Sequence, residues 1–332
     1  MSTRQTIAVL GAGAWGSALA VLLARNGHTV WLWDQDAHRM VALSKNRTDR
    51  YLSGTLLPDT ILPTEHLEVA LAATSEVLVV VPSHGFRATL EACAAYRPAN
   101  VRLALATKGL EPGTERPLHQ VAEEIMGMET PLAVLSGPTF AAEVLAGLPT
   151  AITIASRFPA YAQWLADCMR SAHFRPYTSD DLVGVEIGGA VKNVMAIAAG
   201  ISDGLGFGAN ARAALITRGL AEIMRLGEAM GGRRETFMGL TGVGDLVLTC
   251  TDDLSRNRRF GLSIGRGKTV DEALAAIDQV VEGLSTVREV VTLARRLGVD
   301  MPITHQVYAI LYEGHNPRSA VHALLMRALR SE

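Results

Sequence analysis

The sequence has little cysteine, few aromatic residues and almost no net charge. Its three cysteines, Cys93, Cys168 and Cys250, are widely spaced, and no Cys-x-x-Cys or His-x-x-x-His pattern occurs. We therefore expect neither a disulfide framework nor a bound metal. Lys and Arg together number 31 against 33 for Asp and Glu, which gives a net charge of −2. No nucleic-acid partner is expected, because no overall basic field would attract one.

Long hydrophobic segments are also missing. No window approaches about 20 uninterrupted apolar residues, the length that spans a bilayer. The apolar run that follows Arg4 is broken almost at once by a glycine-rich turn, unlike that of a signal peptide. Hydrophobic residues nevertheless make up 48% of the chain, which is enough for a large core and excludes disorder. The sequence predicts a cytoplasmic protein without a transmembrane segment.

Strand and helix patterns alternate in the first half of the chain. Alternation at this spacing is typical of an α/β domain with a doubly wound parallel sheet, whose strands are apolar throughout where both faces are covered. The helical patterns include Ala14–Asn26 and Gly85–Ala95. The predicted strands are Thr6–Leu10, Thr29–Trp33, Val77–Val81, Arg102–Ala106, Ala133–Leu135 and Ala151–Ala155.

The pattern changes near residue 180. From there to the C-terminus strand signals are nearly absent and helical periodicity dominates. The sequence therefore predicts two domains, an α/β domain over residues 1–180 and an all-helical domain over residues 181–332. The helices predicted in the second domain are Asp181–Ile201, Ala211–Met230, Gly283–Leu297, Ile303–Tyr312 and Ala320–Arg330.

A glycine-rich turn, residues 11–16, joins the first predicted strand to the first predicted helix. The G-x-G-x-x-G pattern alone is a weak signal, and an ordinary strand–helix turn is the alternative. Its position strengthens it, because Gly11 would permit the tight turn, Gly13 the approach of a pyrophosphate, and Gly16 close helix–strand packing. The N–H groups at the helix N-terminus would then face the phosphates. The turn indicates a dinucleotide site.

Asp34 ends the second predicted strand, beyond the glycine-rich turn. A carboxylate there can accept hydrogen bonds from both ribose hydroxyls of the adenosine, and it repels a 2′-phosphate. Taken alone, Asp34 favours NAD over NADP. Two alternatives remain open, because nearby Arg39 could offset the repulsion and Asp34 could simply cap the next helix.

Two lysines are candidates for proton transfer. Lys192 lies in an apolar helical pattern, where an unpaired ammonium would be costly, and Gly188 and Gly189 would leave space beside it for a ligand. A lysine that extends to the surface is the alternative. Lys108 follows the fourth predicted strand, where ligands of α/β sheets bind, although it could be an ordinary surface lysine. If the two shared a pocket, each ammonium would disfavour protonation of the other.

A candidate anion site lies further along the chain. Asp245 and Thr249 are spaced to share a helical face. Ser255 is a plausible N-cap, which would place Arg256 and Asn257 in the first turn of the next helix. Guanidinium, amide and helix dipole together suit a phosphate. A solvated run of arginines is the alternative.

Two further glycine-containing segments follow predicted elements. Gly137 and Thr139 come after another predicted strand and should face the same edge of the sheet, with Gly137 allowing a close backbone approach. Gly204, Gly206 and Gly208 mark a loop that is either mobile or tightly turned.

With these motifs in order along nearly the whole chain, the sequence resembles the bacterial NAD(P)-dependent sn-glycerol-3-phosphate dehydrogenase family. The resemblance implies an N-terminal Rossmann domain, a helical C-terminal domain and NAD(P)H as the cofactor. It implies reversible reduction of dihydroxyacetone phosphate to sn-glycerol 3-phosphate for glycerophospholipid synthesis. The motifs that carry it are GAGAWG (11–16), VPSH (81–84), ATKGLE (106–111), SGPTFA (136–141), GGAVKNV (188–194), SDGLGFGANARAALITRG (202–219), GVGDLVLTCT (242–251), SRNRRFG (255–261) and VVEG (280–283).

The resemblance also implies roles for individual residues. Lys192 matches the catalytic proton acceptor of the family. At the positions of Asp34 and Gln35, some members of the family carry small or basic residues and use NADPH. The positions that match substrate and active-site contacts are Lys108, Gly137, Thr139, Asp245, Ser255, Arg256 and Asn257, with Thr249 beside Asp245. The positions that match cofactor contacts are Ala14, Trp15, Lys108, Ala141, Arg256, Val280 and Glu282.

The mechanism inferred from these residues is direct hydride transfer between the nicotinamide and C2 of the substrate. Lys192 exchanges the proton of the C2 oxygen, while Lys108 and the amide of Asn193 stabilise negative charge on it.

We expect a small-molecule substrate, no metal, and a homodimer. Two alternatives remain, namely another two-domain dehydrogenase acting on hydroxyacids and a non-catalytic nicotinamide sensor, since a Rossmann fold does not itself imply turnover.

Overall fold

The computed structural model of the chain describes residues 4–52, 54–96, 100–277 and 279–325. These residues form two compact units. The first comprises the chain up to Glu111 together with Arg116–Glu186, and the second comprises Pro112–Glu115 and the chain from Ile187 onward. The division therefore falls between Glu186 and Ile187, where the sequence suggested residue 180.

The first unit is built on an eight-stranded sheet in the order β3-β2-β1-β4-β5-β6-β7-β8. Neighbouring strands are parallel except β6 and β7, which are antiparallel. The predicted doubly wound sheet is confirmed, and its last two strands run in the reverse direction. The strands are β1 (Thr6–Leu10), β2 (Thr29–Trp33), β3 (Ile61–Thr64), β4 (Glu76–Val79), β5 (Arg102–Leu105), β6 (Leu132–Ser136), β7 (Thr150–Ser156) and β8 (Phe174–Ser179).

Helices cover both faces of this sheet. The hydrophobic core divides accordingly, because Ile7 and Val9 of β1 pack into one cluster and Ala8 and Leu10 into another. Successive side chains of a strand point to opposite faces, so a strand covered on both sides is apolar at every position. The helices are α1 (Ala14–Arg25), α2 (Ala37–Asn46), α3 (Leu67–Ala72), α4 (Ser83–Ala95), α5 (Leu118–Met126), α6 (Ala141–Ala146) and α7 (Pro159–Met169).

The second unit is helical over its described residues. The helix Leu182–Gly204 begins in the first unit and is buried continuously from Gly184 to Ser202. It is long and apolar enough to span a membrane, yet 94% of its most apolar 18-residue window is buried inside the protein. The helices are α8 (Leu182–Gly204), α9 (Gly208–Ala229), α10 (Arg234–Phe237), α11 (Asp245–Thr251), α12 (Arg256–Gly265), α13 (Val270–Ala275), α14 (Glu282–Leu297), α15 (Pro302–Tyr312) and α16 (Pro317–Leu325), with a π-helical turn at Leu240–Gly244 before α11.

The predicted helices of this unit are confirmed in type, with ends that shift by a few residues. The last of them, Ala320–Arg330, corresponds to α16, and its residues 326–330 lie outside the described part of the chain. The loop between α8 and α9 is tightly turned, since Gly206 and Gly208 have φ angles of 85° and 79°. Such angles favour glycine because a Cβ would clash with the backbone.

Glycines hold α8 and α12 in backbone contact. A Cβ on Gly200 would overlap the carbonyl oxygen of Arg258, and one on Gly204 would lie 2.6 Å from the carbonyl oxygen of Leu262. Conversely, a Cβ on Gly261 would overlap the carbonyl of Ile197. Each helix therefore uses glycine where the other crosses it. This close crossing brings the N-terminal turn of α12 against the middle of α8, where Lys192 and Asn193 lie.

Candidate active site

The glycine-rich turn of the first unit has the geometry that the sequence predicted for two of its glycines. Gly11 has a φ of 110°, and a Cβ there would lie 2.8 Å from the Val80 carbonyl carbon. A Cβ on Gly16 would overlap the carbonyl oxygen of Gly11, so α1 can pack this close to β1 only with glycine. No atom of the described residues lies within 4 Å of a Cβ built on Gly13.

The N-terminus of α1 is the second feature that suits a dinucleotide. The helix begins at Ala14, and within the described chain no side chain caps it at Gly13. The first N–H groups of a helix have no partner within it, and the positive end of its dipole lies at this turn, which suits a pyrophosphate. Ala14 and Trp15 are half-buried there. The residues present fit a bound nicotinamide dinucleotide.

Asp34 follows β2 and is tied to this turn. Its Oδ2 accepts a hydrogen bond of 2.8 Å from the Ala12 N–H, and its Oδ1 accepts one of 3.2 Å from the Asp36 N–H. The helix that follows, α2, is capped by Asp36, whose carboxylate accepts the Arg39 N–H. The alternative that Asp34 caps α2 is therefore wrong. Gln35, the next residue, is exposed.

Other predicted contacts follow the carboxyl ends of neighbouring parallel strands. Lys108 comes after β5 and is half-buried, and Gly137 comes directly after β6. Gly137 has a φ of 153°, and a Cβ there would lie 3.1 Å from the Ile152 Cα. Thr139 donates its hydroxyl to the Gly137 carbonyl over 3.3 Å, just before Ala141 opens α6. These residues thus lie at the edge of the sheet where ligands of such folds bind.

Lys192 lies on α8 and is 6% exposed. Its Nζ donates to a carboxylate oxygen of Asp245 and, over 3.1 Å, to the Thr249 hydroxyl. Both partners lie on one face of α11, as their spacing predicted, and both are buried. The alternative that Lys192 extends to the surface is wrong. A buried ammonium is stable here because a carboxylate balances its charge.

The space around Lys192 differs from the prediction at one point. A Cβ on Gly188 would lie 2.7 Å from the Thr241 carbonyl oxygen. The π-helical turn therefore occupies this side of α8, and Gly188 makes room for backbone rather than for a ligand. Nearby, burial raises the pKa of Cys250 to about 12, so its thiol stays neutral and is no nucleophile at ordinary pH.

The N-terminus of α12 is capped as predicted. The Ser255 side chain accepts the Arg258 N–H over 3.2 Å, and Arg256 and Asn257 occupy the first turn. Arg256 is half-buried and donates to the Val280 carbonyl over 3.0 Å. The alternative of a solvated run of arginines is wrong for Arg258, which is 7% exposed and paired with Asp203 at 2.7 Å.

A chain of amide hydrogen bonds links α8, α12 and α14. The Gly283 N–H donates to Asn257 Oδ1 over 2.9 Å, and the Asn257 amide donates to Asn193 Oδ1 over 3.0 Å. The Asn193 amide in turn lies 3.4 Å from a carboxylate oxygen of Glu282. Glycine is required at position 283, because a Cβ would lie 2.8 Å from both the Asn193 carbonyl and Asn257 Oδ1.

Two comparisons with known proteins bear on these arrangements. The chain matches the family model of the NAD-dependent glycerol-3-phosphate dehydrogenase N-terminus over residues 6–162 and that of its C-terminus over residues 181–322. The chain belongs to the NAD-dependent glycerol-3-phosphate dehydrogenase family. The family resemblance predicted from the motifs is thereby confirmed.

Similar members of the family align from end to end. A glycerol-3-phosphate dehydrogenase [NAD(P)+] of Thioalkalivibrio sulfidiphilus is 58% identical over 98% of both chains. One of Nitrosococcus oceani is 56% identical over 98% of this chain and 94% of its own. The crystal structure of glycerol-3-phosphate dehydrogenase from Coxiella burnetii superposes with a TM-score of 0.95 at 45% identity, covering 98% of this chain and 99% of its own.

Sequence reasoning missed several polar partners in this family member. Asp49 binds Arg39, Asp203 binds Arg258, and buried His119 binds Glu186 in the first turns of α8. Each pair joins residues distant in sequence or carried on different elements, and no local motif marks them. The three arginines that follow Ser255 gave one available signal, because an arginine that becomes buried, as Arg258 does, needs an acidic partner.

A separate cavity of about 520 Å³ lies in the second unit, and its lining includes Ile201, Phe207, Glu222 and Ile303. None of the predicted site residues is among its described lining residues. Over the part of the chain that the structure describes, no cluster of three or more His, Cys, Asp or Glu side chains could hold a metal ion.

Proposed function

We propose that this chain catalyses the reversible reduction of dihydroxyacetone phosphate to sn-glycerol 3-phosphate with NAD(P)H, a step that supplies glycerophospholipid synthesis. The observation that carries the proposal is the environment of Lys192. A buried ammonium that donates to Asp245 and Thr249 is held at a fixed place, one residue from the Asn193–Asn257 amide chain. Proton transfer at a substrate oxygen needs such a positioned acid.

The dinucleotide would be held by the first unit. The Gly11–Gly16 turn and the α1 N-terminus offer N–H groups to the pyrophosphate, and Asp34 offers carboxylate oxygens to the adenosine ribose. When bound, NAD(P)H supplies the hydride that C2 of the substrate accepts. The remaining proposed cofactor contacts, by family position, are Ala14, Trp15, Gln35, Lys108, Ala141, Arg256, Val280 and Glu282.

Lys192 holds the proton that the C2 oxygen takes up. Asp245 and Thr249 fix the direction of the Nζ, so that the ammonium does not rotate away from the oxygen. In the oxidative direction the same nitrogen removes the hydroxyl proton. The amide of Asn193 stabilises negative charge on this oxygen, because its orientation is fixed by partners on both sides.

The substrate phosphate is held at the N-terminus of α12. Arg256 presents a planar guanidinium and Asn257 an amide, beside the positive end of a ten-residue helix capped by Ser255. Binding energy from the phosphate then orients the carbonyl, which is how a group remote from the reaction raises its rate. Lys108, Gly137 and Thr139 are proposed substrate contacts of the first unit.

The direct test follows the absorbance of NADH and NADPH with three substrates at equal concentration. Dihydroxyacetone phosphate should be reduced rapidly, unphosphorylated dihydroxyacetone at least about a hundredfold more slowly, and a β-ketoacid not at all. Reduction of the β-ketoacid alone would identify a hydroxyacid dehydrogenase. Tight cofactor binding without turnover of any substrate would identify a sensor. Neither alternative is favoured by the end-to-end family match.

Location and assembly belong to the same proposal. A cytoplasmic location is proposed, and the proposed use of NAD(P)H and a phosphorylated substrate supports it. A homodimer is the proposed assembly, and its mass in solution would be measured by light scattering.

A further inference from the structure

Three charged residues form a half-buried cluster beside the glycine-rich turn. Asp34 follows β2, Arg39 lies on α2, and Asp49 follows α2, with side-chain exposures of 21%, 16% and 14%. All three belong to the first unit. The Asp34–Arg39–Asp49 cluster therefore lies where the adenosine ribose of a dinucleotide would bind, provided that the cofactor role proposed above for the turn is correct.

Asp34 cannot move far from the turn. Its two oxygens accept the N–H groups of Ala12 and Asp36 at 2.8 and 3.2 Å. A carboxylate has about four lone-pair sites, so this arrangement leaves acceptor capacity for hydroxyl donors. The partly exposed Asp34 can thus receive hydrogen bonds from a ribose while staying attached to the protein.

Arg39 is held mainly by Asp49. Its Nε and Nη2 both donate to Asp49 Oδ2, at 2.9 and 2.7 Å, and Nη2 also donates to the Ala12 carbonyl. Its Nη1 lies 3.5 Å from Asp34 Oδ2, which is a weak contact. The ring of Tyr51 covers the guanidinium, with its centroid 4.6 Å from the central carbon. The two bonds of Arg39 to Asp49 are therefore shorter than its contact with Asp34.

The charges of the cluster sum to −1, because one guanidinium is shared by two carboxylates. A 2′-phosphate carries about two negative charges, so a negative cluster disfavours it. If Asp49 did not engage Arg39, the sum would be zero and two guanidinium donors would become available for a phosphate. Asp49 itself would need no contact with the dinucleotide to produce this effect.

We propose that Asp49 is a specificity-determining residue of this chain, which keeps Arg39 from binding a 2′-phosphate and so favours NAD(H) over NADP(H). It acts through Arg39, as a positioning residue. Asp34 alone does not decide the preference, because the charge opposite the ribose depends on whether Arg39 is neutralised.

Asp49→Asn is the sharpest test that the geometry allows. Asp49 Oδ1 accepts the Tyr51 N–H over 2.8 Å, and an asparagine keeps this bond. Its NH2 group replaces Oδ2 and cannot accept from Arg39. Dissociation constants for NAD+ and NADP+ are measured by calorimetry without substrate. The ratio of the NADP+ constant to the NAD+ constant should fall about tenfold or more, mainly through tighter NADP+ binding.

Two further variants make the test specific to Arg39. In Asp49→Asn combined with Arg39→Met, the gain in NADP+ affinity should disappear. Arg39→Met alone should raise the ratio above that of the unaltered chain, since both carboxylates are then unopposed, and it gives a second readout if Asp49→Asn does not fold. Any one of three results would overturn the proposal. The ratio could be unchanged in folded Asp49→Asn, the gain in NADP+ affinity could persist in the double variant, or Arg39→Met could fail to raise the ratio.

Binding without substrate separates this inference from the proposed function. A chain that binds the dinucleotides but fails to reduce dihydroxyacetone phosphate would refute the proposed reaction, and the ratio in Asp49→Asn would still decide the role of Asp49. If the unaltered chain preferred NADP+, the role proposed for Asp49 would be refuted even though the reaction could stand.

Discussion

The side-chain amide of Asn257 donates a hydrogen bond of 3.0 Å to Oδ1 of Asn193. The orientation of both amides is fixed by the groups at the two ends of this series of hydrogen bonds, which are the Gly283 N–H and the Glu282 carboxylate. The backbone N–H of Gly283 can only donate, so it fixes Oδ1 of Asn257, and the carboxylate of Glu282 accepts from the Asn193 amide. Because neither amide can reverse without breaking a bond, the N–H groups of Asn193 have a fixed direction.

Replacing Asn257 with Asp should therefore impair turnover. A carboxylate still accepts the Gly283 N–H, but it has nothing to donate to Asn193 and adds negative charge beside the proposed phosphate site. We expect kcat/KM for dihydroxyacetone phosphate to fall about tenfold or more. Asn210→Asp, which adds the same charge at an exposed position of α9, is the control and should retain activity. Equal activity in the two variants would contradict the role of the amide chain.

Lys192→Ala should abolish turnover while cofactor binding is retained. A positioned general acid contributes about 10²–10⁴-fold to the rate, and the dinucleotide turn lies in the other unit. The substitution also leaves Asp245 buried without its ammonium, which costs about 3–5 kcal/mol of stability. The melting temperature should accordingly fall.

Lys192→Arg separates catalysis from this loss of stability. A guanidinium keeps the charge opposite Asp245 but does not release a proton near neutral pH, so the fold should persist and the rate should fall by a similar factor. Lys268→Ala, at an exposed position, serves as control. Retention of more than about a tenth of the rate in Lys192→Arg would remove Lys192 from the acid–base role.

Arg256→Lys should raise KM for the phosphorylated substrate. Lysine keeps the charge but loses the planar fork, which donates both to the Val280 carbonyl and, in the proposed site, to the phosphate. Arg259→Lys is the matched control, since it changes an exposed arginine of the same helix. The rate with unphosphorylated dihydroxyacetone should be nearly unaffected by Arg256→Lys. An equal loss with both substrates would show that Arg256 does not act through the phosphate.

The sequence predicted the strands inside the sheet and missed the two at its edges. β1 and β2 were predicted with their observed bounds, because each is a short run rich in β-branched or aromatic residues. β3 contains Pro63 and pairs only with β2, and β8 lies at the opposite edge and alternates buried with exposed residues. Such edge strands give short, mixed patterns that resemble loops.

The site was predictable where its residues are consecutive or spaced by helical turns. The turn at Gly11, the cap at Ser255 and the shared face of Asp245 and Thr249 all depend on local geometry. Contacts such as the bond between Asp49 and Arg39 depend on the path of a loop, which no periodicity encodes. Gly188 shows a further limit, because a glycine that makes room for a ligand has the same local pattern as one that makes room for backbone.

Two glycine-to-alanine substitutions can test whether the protein's stability depends on the close crossing of α8 and α12. Gly200→Ala would bring a Cβ into the carbonyl oxygen of Arg258 and push the helices apart, at a cost of about 1–3 kcal/mol or more. Gly85→Ala places the same methyl group on α4, where the described structure has no atom within 4 Å, and should be neutral or slightly stabilising. Thermal unfolding compares them. Equal melting temperatures would mean that the helices do not depend on this close contact.

Glu289 should make the protein less stable as the pH rises. The carboxyl is 6% exposed on α14, and burial raises its pKa from 4.5 to about 7. Between these values the folded chain holds a proton that the unfolded chain has released, so the stability that protonated Glu289 contributes is fully present below pH 4.5 and is lost as the pH rises through about 7. Glu289→Gln should therefore match the unaltered protein near pH 5 and exceed it by about 1–3 kcal/mol near pH 8. Unfolding in urea at both pH values measures the difference, with exposed Glu235→Gln as control. If Glu289→Gln gave the same gain at pH 5 as at pH 8, the titration of Glu289 would not be the cause.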